Sequence, residues 1–216
     1  MGDAEVLKRA ETTLKLANVV GEEAATVSEW MTAIWNNFDD GTQSLESYAD
    51  VLAKLGAATA SSADEIAGGL EKFSAVADTV GLSFEYAASA LATITSETRQ
   101  SEEVVGTALK TIFARMENLS LGDTLEDGTD LGKYSAALEK VGVSIKDSNG
   151  GLKDMNDIID GIGMRWQTLA KDEQVALAQS VAGIRQYNQF IALMDNYNTF
   201  KENVDLAKEA NGELEM

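Results

Sequence analysis

Apolar residues recur three and four positions apart along most of the chain, which is the spacing of one face of an α-helix. Two such stripes come before residue 40, and four more begin after serines and mostly end at glycines. Serine is a preferred residue at the start of a helix, because its hydroxyl accepts a free backbone N–H. These serines are Ser44, Ser62, Ser83 and Ser101. The pattern predicts a bundle of short antiparallel helices over residues 1–118.

Residues 119–133 (LSLGDTLEDGTDLGK) break the helical pattern with a run rich in glycine, aspartate and threonine. Loops of this length are uncommon unless they are mobile or functional. We therefore predict a flexible acidic loop or hinge here. After this loop the helical spacing of apolar residues resumes, so residues 134–184 are predicted to form further helices. One short stretch within them does not follow the helical spacing.

That exception is the only strand-like stretch in the sequence. Val143 and Ile145 alternate with polar residues, and Asn149 and Gly150 form a dipeptide that is common in two-residue turns. This combination predicts a small β-hairpin near residues 142–153.

The last stripe is the most regular one. Phe190, Ile191 and Met194 follow Tyr187 by three, four and seven positions, and no glycine interrupts the pattern before Gly212. We predict one long helix over residues 185–210 that leads out of the module. The fold class predicted for the whole chain is all-α.

Composition supports this fold class and narrows the function. Proline, the strongest helix breaker, does not occur among the 216 residues, and 44% of the residues are apolar. The net charge of −19 argues against binding to nucleic acid or to an anionic membrane surface, because both require a basic face. Such acidity favours solubility, or a surface that a passing polyanion does not bind.

The sequence offers little reactive chemistry. It has neither cysteine nor histidine, which removes disulfides, thiolate or imidazole metal ligands, and imidazole bases. Its Asp–Gly clusters do not have the spacing of a calcium-binding loop, and Gly161-Ile-Gly163 lacks the third glycine of a dinucleotide fingerprint, since Trp166 occupies that position. We expect no catalytic, cofactor-binding or metal site, no enzymatic activity and no membrane span.

One aromatic face leaves two interpretations open. Trp30, Trp35 and Phe38 lie on the same side of the second predicted helix, where they either form core or present a surface to a partner. If exposed, this face would suit a soluble bacterial helical adaptor that binds partner helices in a groove.

Three blocks of sequence together resemble the conserved minor-tail core of the phage tail tape-measure proteins. They are GTALKTIFARM at residues 106–116, the stretch at 138–159 that contains KVGVSIKDSNGGLKDMNDII, and RWQTLAKDEQVALAQSVAGIRQYNQFIALMDN at 165–196. The likeness covers roughly residues 44–196, and its most specific part is VAGIRQYNQFIALM. The acidic, glycine-rich stretch after Met116 departs from it.

The resemblance implies a structural protein of the tail of a long-tailed bacteriophage. Proteins of this kind set tail length during assembly, occupy the tail lumen and leave the tail as DNA is delivered. The implied partners are other copies of the chain, forming a homo-oligomer, and the tail tube, tail-tip or baseplate, and tail-assembly chaperone proteins. The implied locations are the virion tail lumen and, during assembly, the host cytoplasm. Even fully helical, 216 residues would span only about 320 Å, so we expect the chain to be a fragment of a longer ruler.

The candidate functional residues lie in the most specific part of this resemblance. They are Arg185, Gln186, Tyr187, Asn188 and Phe190. One interpretation is that they organise the core, with Tyr187 packed inside and with Arg185 and Asn188 satisfying buried carbonyls. The other interpretation is that they form a docking surface for a tail-tip or tube protein, or for another copy of the chain.

Overall fold

The computed structural model describes residues 2–121, 132–151 and 153–215, and within them the chain forms a bundle of α-helices with no sheet. This confirms the all-α prediction. The helices are α1 (Asp3–Val20), α2 (Ala24–Phe38), α3 (Leu45–Ala58), α4 (Ala63–Thr79), α5 (Phe84–Thr98), α6 (Glu102–Leu121), α7 (Gly132–Lys140), α8 (Met155–Trp166), α9 (Lys171–Asp195) and α10 (Tyr197–Glu209), followed by a 3-10 turn, Glu213–Glu215.

The predicted serine starts are where helices α3 to α6 begin. The Ser44 hydroxyl accepts the Ser47 N–H at 3.2 Å, and the Ser83 hydroxyl accepts the Tyr86 N–H at 3.3 Å. At the start of α4 the backbone N–H of Ser62 donates to a Glu65 carboxylate oxygen at 2.8 Å. These bonds satisfy backbone groups that the first turn of a helix leaves without partners.

Helix α5 lies at the centre of the bundle, in contact with α3, α4, α6, α9 and α10. Eleven of its fifteen residues are buried, and most of them are alanine, serine or threonine. Small side chains allow neighbouring helices to approach from several sides, which explains how a helix of modest hydrophobicity can be buried nearly all round. Buried residues from α1 to α10 form one continuous hydrophobic cluster around it.

The predicted hairpin near residues 142–153 is wrong for the residues that the structure describes. No strand forms there, and Val143 and Ile145 are buried in the helical core. Their alternation reflects two side chains inserted between helices. The Asp147 carboxylate accepts the backbone N–H groups of Asn149 and Gly151, each at 2.8 Å, which closes a turn. Backbone hydrogen bonds cross this turn from Asp147 to Gly151 and from Lys153 to Ile145, but they form an isolated bridge at Lys146 and not a strand.

The predicted long helix over residues 185–210 is also wrong. The helix ends at Asp195, and after Asn196 (φ −107°, ψ 29°) α10 begins. The Asn196 side-chain amide donates to the Ala192 carbonyl at 2.9 Å. Asparagine readily forms such local side-chain-to-backbone bonds, which compete with continuation of the helix. Helix α10 then packs on α5 and α3, burying Phe200 and Val204, so it belongs to the bundle and does not lead out of it.

The 3-10 turn after α10 fastens this end of the bundle to α3. The backbone N–H groups of Gly212 and Leu214 donate to the two carboxylate oxygens of the buried Asp50, at 3.0 and 3.1 Å. Lys54 forms an ion pair with Glu213 at 2.8 Å. These contacts hold the end of α10 against the N-terminal helices.

The predicted flexible loop at residues 119–133 overlaps helices at both ends, because α6 continues to Leu121 and α7 begins at Gly132. Residues 122–131 lie outside the described residues. Within the described part of the chain, no helix combines the length and apolarity needed to cross a bilayer.

Candidate functional site

A kink divides α9 at Gly183 into two helical segments, residues 171–182 and 184–195. Gly183 has φ 76° and ψ 164°, an extended conformation of positive φ that only glycine adopts readily. The sequence analysis missed this kink, because an isolated glycine is tolerated inside a helical pattern. Gly183 itself was the one signal that could have indicated it.

The kink lies against α6. A Cβ atom at position 183 would lie 3.2 Å from the Arg115 guanidinium carbon, closer than most Cβ contacts. An added methyl group would therefore require the end of the Arg115 side chain to shift by a few tenths of an ångström. Helix α9 packs against α6.

Three residues immediately after the kink face solvent. Ile184 is 78% exposed, and Arg185 and Asn188 are also exposed. Among the described residues, neither the Arg185 side chain nor the Asn188 side chain forms a hydrogen bond or an ion pair. The core-organising interpretation placed both side chains on buried carbonyls, and their exposure contradicts that part of it.

The other two candidate residues with large side chains turn inward. Phe190 is 1% exposed and packs edge-on against Trp166, with ring centroids 6.1 Å apart. Tyr187 is half-buried against the core, and Gln186 is half-buried as well. The structure thus divides the five candidates. Phe190 and Tyr187 pack the second segment of α9 against the bundle, Gln186 is half-buried, and Arg185 and Asn188 are exposed.

Two partly buried hydrogen bonds connect this segment to neighbouring parts of the bundle. The fully buried Trp166 donates its indole N–H to the Asp195 carboxylate at 2.6 Å, which joins α8 to the end of α9. The Gln189 side chain donates to the Gln100 amide oxygen at 2.9 Å. Both bonds lie C-terminal to the exposed residues, so they fix the part of the same helical segment that follows Asn188.

A second polar cluster joins α5, α8 and α10. The Asp160 carboxylate accepts hydrogen bonds from Tyr86 at 2.7 Å, from Tyr197 at 2.9 Å and from Lys201 at 2.9 Å. Lys201 also donates to the Tyr86 hydroxyl and lies over the Tyr86 ring. Gly163 permits this approach, because a Cβ there would overlap the Tyr197 ring.

Burial is the main cause of the raised tyrosine pKa values in this cluster. It raises the pKa of Tyr197 and of Tyr86, and the neighbouring Asp160 carboxylate raises both further. Burial alone would lower the pKa of Lys201, but hydrogen bonds to Tyr86 and Asp160 outweigh it and the pKa is raised. The protonated forms of Tyr86, Tyr197 and Lys201 are therefore favoured. Their hydrogen bonds to Asp160 connect the three helices.

The surface after the kink has the chemistry of a protein contact. It presents a branched apolar side chain, a guanidinium and a carboxamide side by side on a rigid helix. An exposed arginine can donate two parallel hydrogen bonds to a carboxylate, and asparagine can both donate to and accept from a partner backbone. Among the described residues, no group of three or more acidic side chains is arranged to hold a metal ion. We call Ile184, Arg185 and Asn188 the kink surface.

The aromatic face that the adaptor hypothesis requires is not open. Trp35 is 3% exposed and donates its indole N–H to the Leu45 carbonyl at 3.0 Å. Phe38 is half-buried and packs edge-on against Phe84, and Trp30 is half-buried as well. This face contributes mainly to the contact of α2 with the rest of the bundle.

Comparison with known proteins identifies the family to which the chain belongs. The model of one protein family, described as phage-related minor tail protein, matches residues 1–183, which is most of the chain. The match ends at the kink, so the kink surface lies just beyond it. No solved structure matches the chain. The chain therefore belongs to the family of phage-related minor tail proteins, and its role is structural, within the phage tail and among other tail components.

Proposed function

We propose that this chain is the folded module of a tape-measure protein, the component that sets tail length during assembly and leaves the tail as DNA is delivered. Family membership places it among minor tail proteins, and the three sequence blocks described above resemble the tape-measure core. The long ruling helix would lie elsewhere in the same polypeptide, because α9 and α10 both pack within the bundle.

The observation that carries the proposal is the arrangement of residues 181–196. The most specific part of the resemblance folds into a kink with a buried half and an exposed half. Phe190 anchors the segment, while Ile184, Arg185 and Asn188 remain free to contact another protein. We infer that the kink surface docks a component of the tail tube or of the tail tip or baseplate.

The charge distribution suits a protein that shares a narrow tube with DNA. Residues 1–118 contain 19 acidic and 8 basic residues, whereas residues 134–184 contain 7 and 5. An acidic surface repels a polyanion, so DNA would pass without binding to the helical bundle. The nearly balanced region beside the kink is better suited to contact with protein than the strongly acidic one.

Tail length is the direct test. In-frame deletions in helical parts of the same reading frame, outside residues 1–216, should shorten the tail by about 1.5 Å for each residue removed. Electron micrographs of purified virions give this length, and replacement of the same codons without deletion serves as the control. Tails of unchanged length would contradict the ruler.

Location in the lumen and release with DNA need a separate readout. In intact virions the chain should resist added protease, and after triggered DNA release it should be absent from the emptied tails. Immunoblots of the two fractions measure both. A chain that is digested in intact virions, or that stays in the emptied tail, would contradict this part of the proposal.

A further inference from the structure

The sequence contains two Asn-Gly dipeptides, Asn149-Gly150 and Asn211-Gly212. Glycine has no side chain to shield its backbone nitrogen, so in such a dipeptide this nitrogen can attack the side chain of the preceding asparagine. Both asparagines are exposed, and the two glycines have similar positive φ angles, 83° and 71°. The dipeptides therefore match in sequence, exposure and glycine conformation. They differ in what holds the glycine N–H.

At the second dipeptide the glycine N–H is held by a distant part of the chain. Gly212 donates it to the carboxylate of Asp50 in α3 at 3.0 Å, and Asp50 is only 4% exposed. Leu214 donates to the other oxygen of the same carboxylate at 3.1 Å. Release of Gly212 therefore requires the turn after α10 to leave α3, and a buried carboxylate would lose hydrogen bonds, which is costly.

At the first dipeptide the glycine N–H is held only by its own turn. Gly150 donates it to the backbone carbonyl of Asp147 at 3.2 Å, and Asn149 and Gly151 donate to the Asp147 carboxylate. These residues are all exposed, and the bonds lie within residues 147–151. The turn can therefore open without moving a helix. Exposed local hydrogen bonds open far more often than bonds that join buried elements.

We propose that Asn149 is a site of spontaneous deamidation and that Asp50 protects Asn211 from the same reaction. When the turn opens, the Gly150 nitrogen loses its proton to a base in solution and forms a bond to the side-chain carbonyl carbon of Asn149. The bond from that carbon to the amide nitrogen breaks, and this nitrogen takes up a proton and leaves as ammonia. The cyclic imide then adds water and opens to aspartate or to isoaspartate.

Charge acts in the same direction as the hydrogen bonds. A backbone N–H that donates to an anion retains its proton more firmly, because loss of the proton would place two negative charges side by side. Gly212 is in this position beside Asp50, whereas Gly150 donates to a neutral carbonyl. The Asp147 carboxylate is also near Gly150, but it is exposed, so water and salt screen its charge.

The reaction consumes only water, so the modified fraction should increase with the age of the protein. Each event replaces a neutral amide by a carboxylate two residues from Asp147, and the isoaspartate product also lengthens the backbone of the turn. The inference does not depend on the proposed function, because it concerns the chemistry of the purified chain alone.

Peptide mapping by mass spectrometry is the test. The purified chain is incubated at mildly alkaline pH in water labelled with heavy oxygen, which marks only the events that occur during the incubation. In the folded chain Asn149 should react at least about tenfold faster than Asn211, as a difference of about 1.4 kcal/mol in local opening would produce. The matched control is the same chain unfolded in guanidinium chloride, in which both asparagines should react at similar rates because neither glycine N–H is held.

The variant Asp50→Ala tests the protection directly. It removes the acceptor of the Gly212 N–H, so Asn211 should react faster while the rate at Asn149 stays unchanged. Circular dichroism verifies that the variant is folded, and if it is not, the comparison within the unmodified chain still decides.

Three results would overturn the proposal. The first is a folded chain in which Asn149 reacts no faster than Asn211. The second is an unfolded chain with the same preference for Asn149, which would assign the difference to the neighbouring sequence and not to the structure. The third is a folded Asp50→Ala variant in which Asn211 reacts as slowly as before, which would refute the protective role of Asp50.

Discussion

The N-terminal bundle, α1 to α6, and the C-terminal helices, α7 to α10, are built by different means. In the N-terminal bundle, links of three to six residues join helices whose starts are marked by serine or by an acidic residue. In the C-terminal helices, a kink, a loop with buried apolar residues and a break at Asn196 decide the path of the chain. The first region follows local rules of helix formation, and the second follows contacts with its neighbours.

The difference bears on function. Local rules produce regular helices that present a strongly acidic outer surface. The contact-determined region exposes Ile184 at 78% and Arg185 beside it, on a segment held by buried aromatic rings. Irregular backbone maintained by surrounding contacts is typical of positions that serve a function.

The largest expected effect tests whether the two regions share one core. Trp35 in α2 and Trp166 in α8 are both buried, and each donates one indole hydrogen bond. Replacing either with alanine should lower the free energy of unfolding by about 3–5 kcal/mol, because a large cavity remains. Since the buried residues form one cluster, circular dichroism and tryptophan fluorescence should follow one coincident transition in urea. Two separate transitions would show that the regions unfold independently.

A pair of glycines sharpens the comparison. Gly183 has an extended backbone of positive φ, whereas Gly21, which ends α1, has a left-handed helical conformation (φ 77°, ψ 19°). Gly183→Ala should cost about 1–3 kcal/mol. Gly21→Ala should cost about 1 kcal/mol, because its conformation is less restricted and no atom lies near an added methyl group. Chemical denaturation measures both, and equal losses would argue that the kink is not strained.

Alkaline pH should weaken both regions through their tyrosines. Burial raises the pKa of Tyr48 to about 12, and the carboxylates of Asp39 and Asp40 contribute to this shift. In the unfolded chain a tyrosine ionises near pH 10, at about its ordinary pKa. Between these values the folded state retains a proton that the unfolded state has lost, so stability is complete below about pH 10 and falls as pH rises towards 12. Thermal unfolding from pH 8 to 12 should show this loss, with a shallower slope in Tyr48→Phe.

Thermal unfolding at alkaline pH can also be compared between the N-terminal bundle and the C-terminal helices. Tyr197 in α10 has its pKa raised further than that of Tyr48. Tyr197→Phe should therefore also reduce the alkaline slope, in spite of the hydrogen bond to Asp160 that it removes. If neither replacement changes the slope, alkaline loss of stability has another origin.

The smallest expected effect on stability concerns the kink surface. Arg185→Ala/Asn188→Ala removes two exposed side chains that make no hydrogen bond within the described residues, so the free energy of unfolding should change by less than about 0.5 kcal/mol. Phe190→Ala, a few positions along the same helix, should cost about 3–5 kcal/mol because Phe190 is buried. A large loss in the double variant would restore the core-organising interpretation.

Sequence reasoning succeeded where a local signal decides the structure. Ser44, Ser62 and Ser83 mark real helix starts, because their bonds are made within one turn. It failed at residues 142–153, where the alternation of Val143 and Ile145 reflects insertion into a core that other helices supply. Periodicity cannot distinguish a strand from an irregular loop that buries every second residue.

The candidate site was predicted in part for the same reason. Phe190 lies on the apolar stripe, so its burial follows from spacing. The exposure of Arg185 and Asn188 depends on the kink at Gly183, for which the glycine is a weak local signal, and on the contact with Arg115 of α6, which local sequence does not encode. Leu7 and Leu14 of α1 show the converse case, because both follow helical spacing and yet both side chains are exposed.

The central claim is that this chain acts in the tail through the kink surface. The most direct test is complementation of a phage that lacks the gene, with complete tails counted by electron microscopy. Arg185→Ala/Asn188→Ala should yield fewer than about one tenth as many complete tails as the unmodified gene, an effect of about 1.4 kcal/mol or more on docking. The control Lys146→Ala/Asn149→Ala, which also removes an exposed base and an exposed asparagine, should assemble normally. Normal numbers of tails with the first pair would contradict the account.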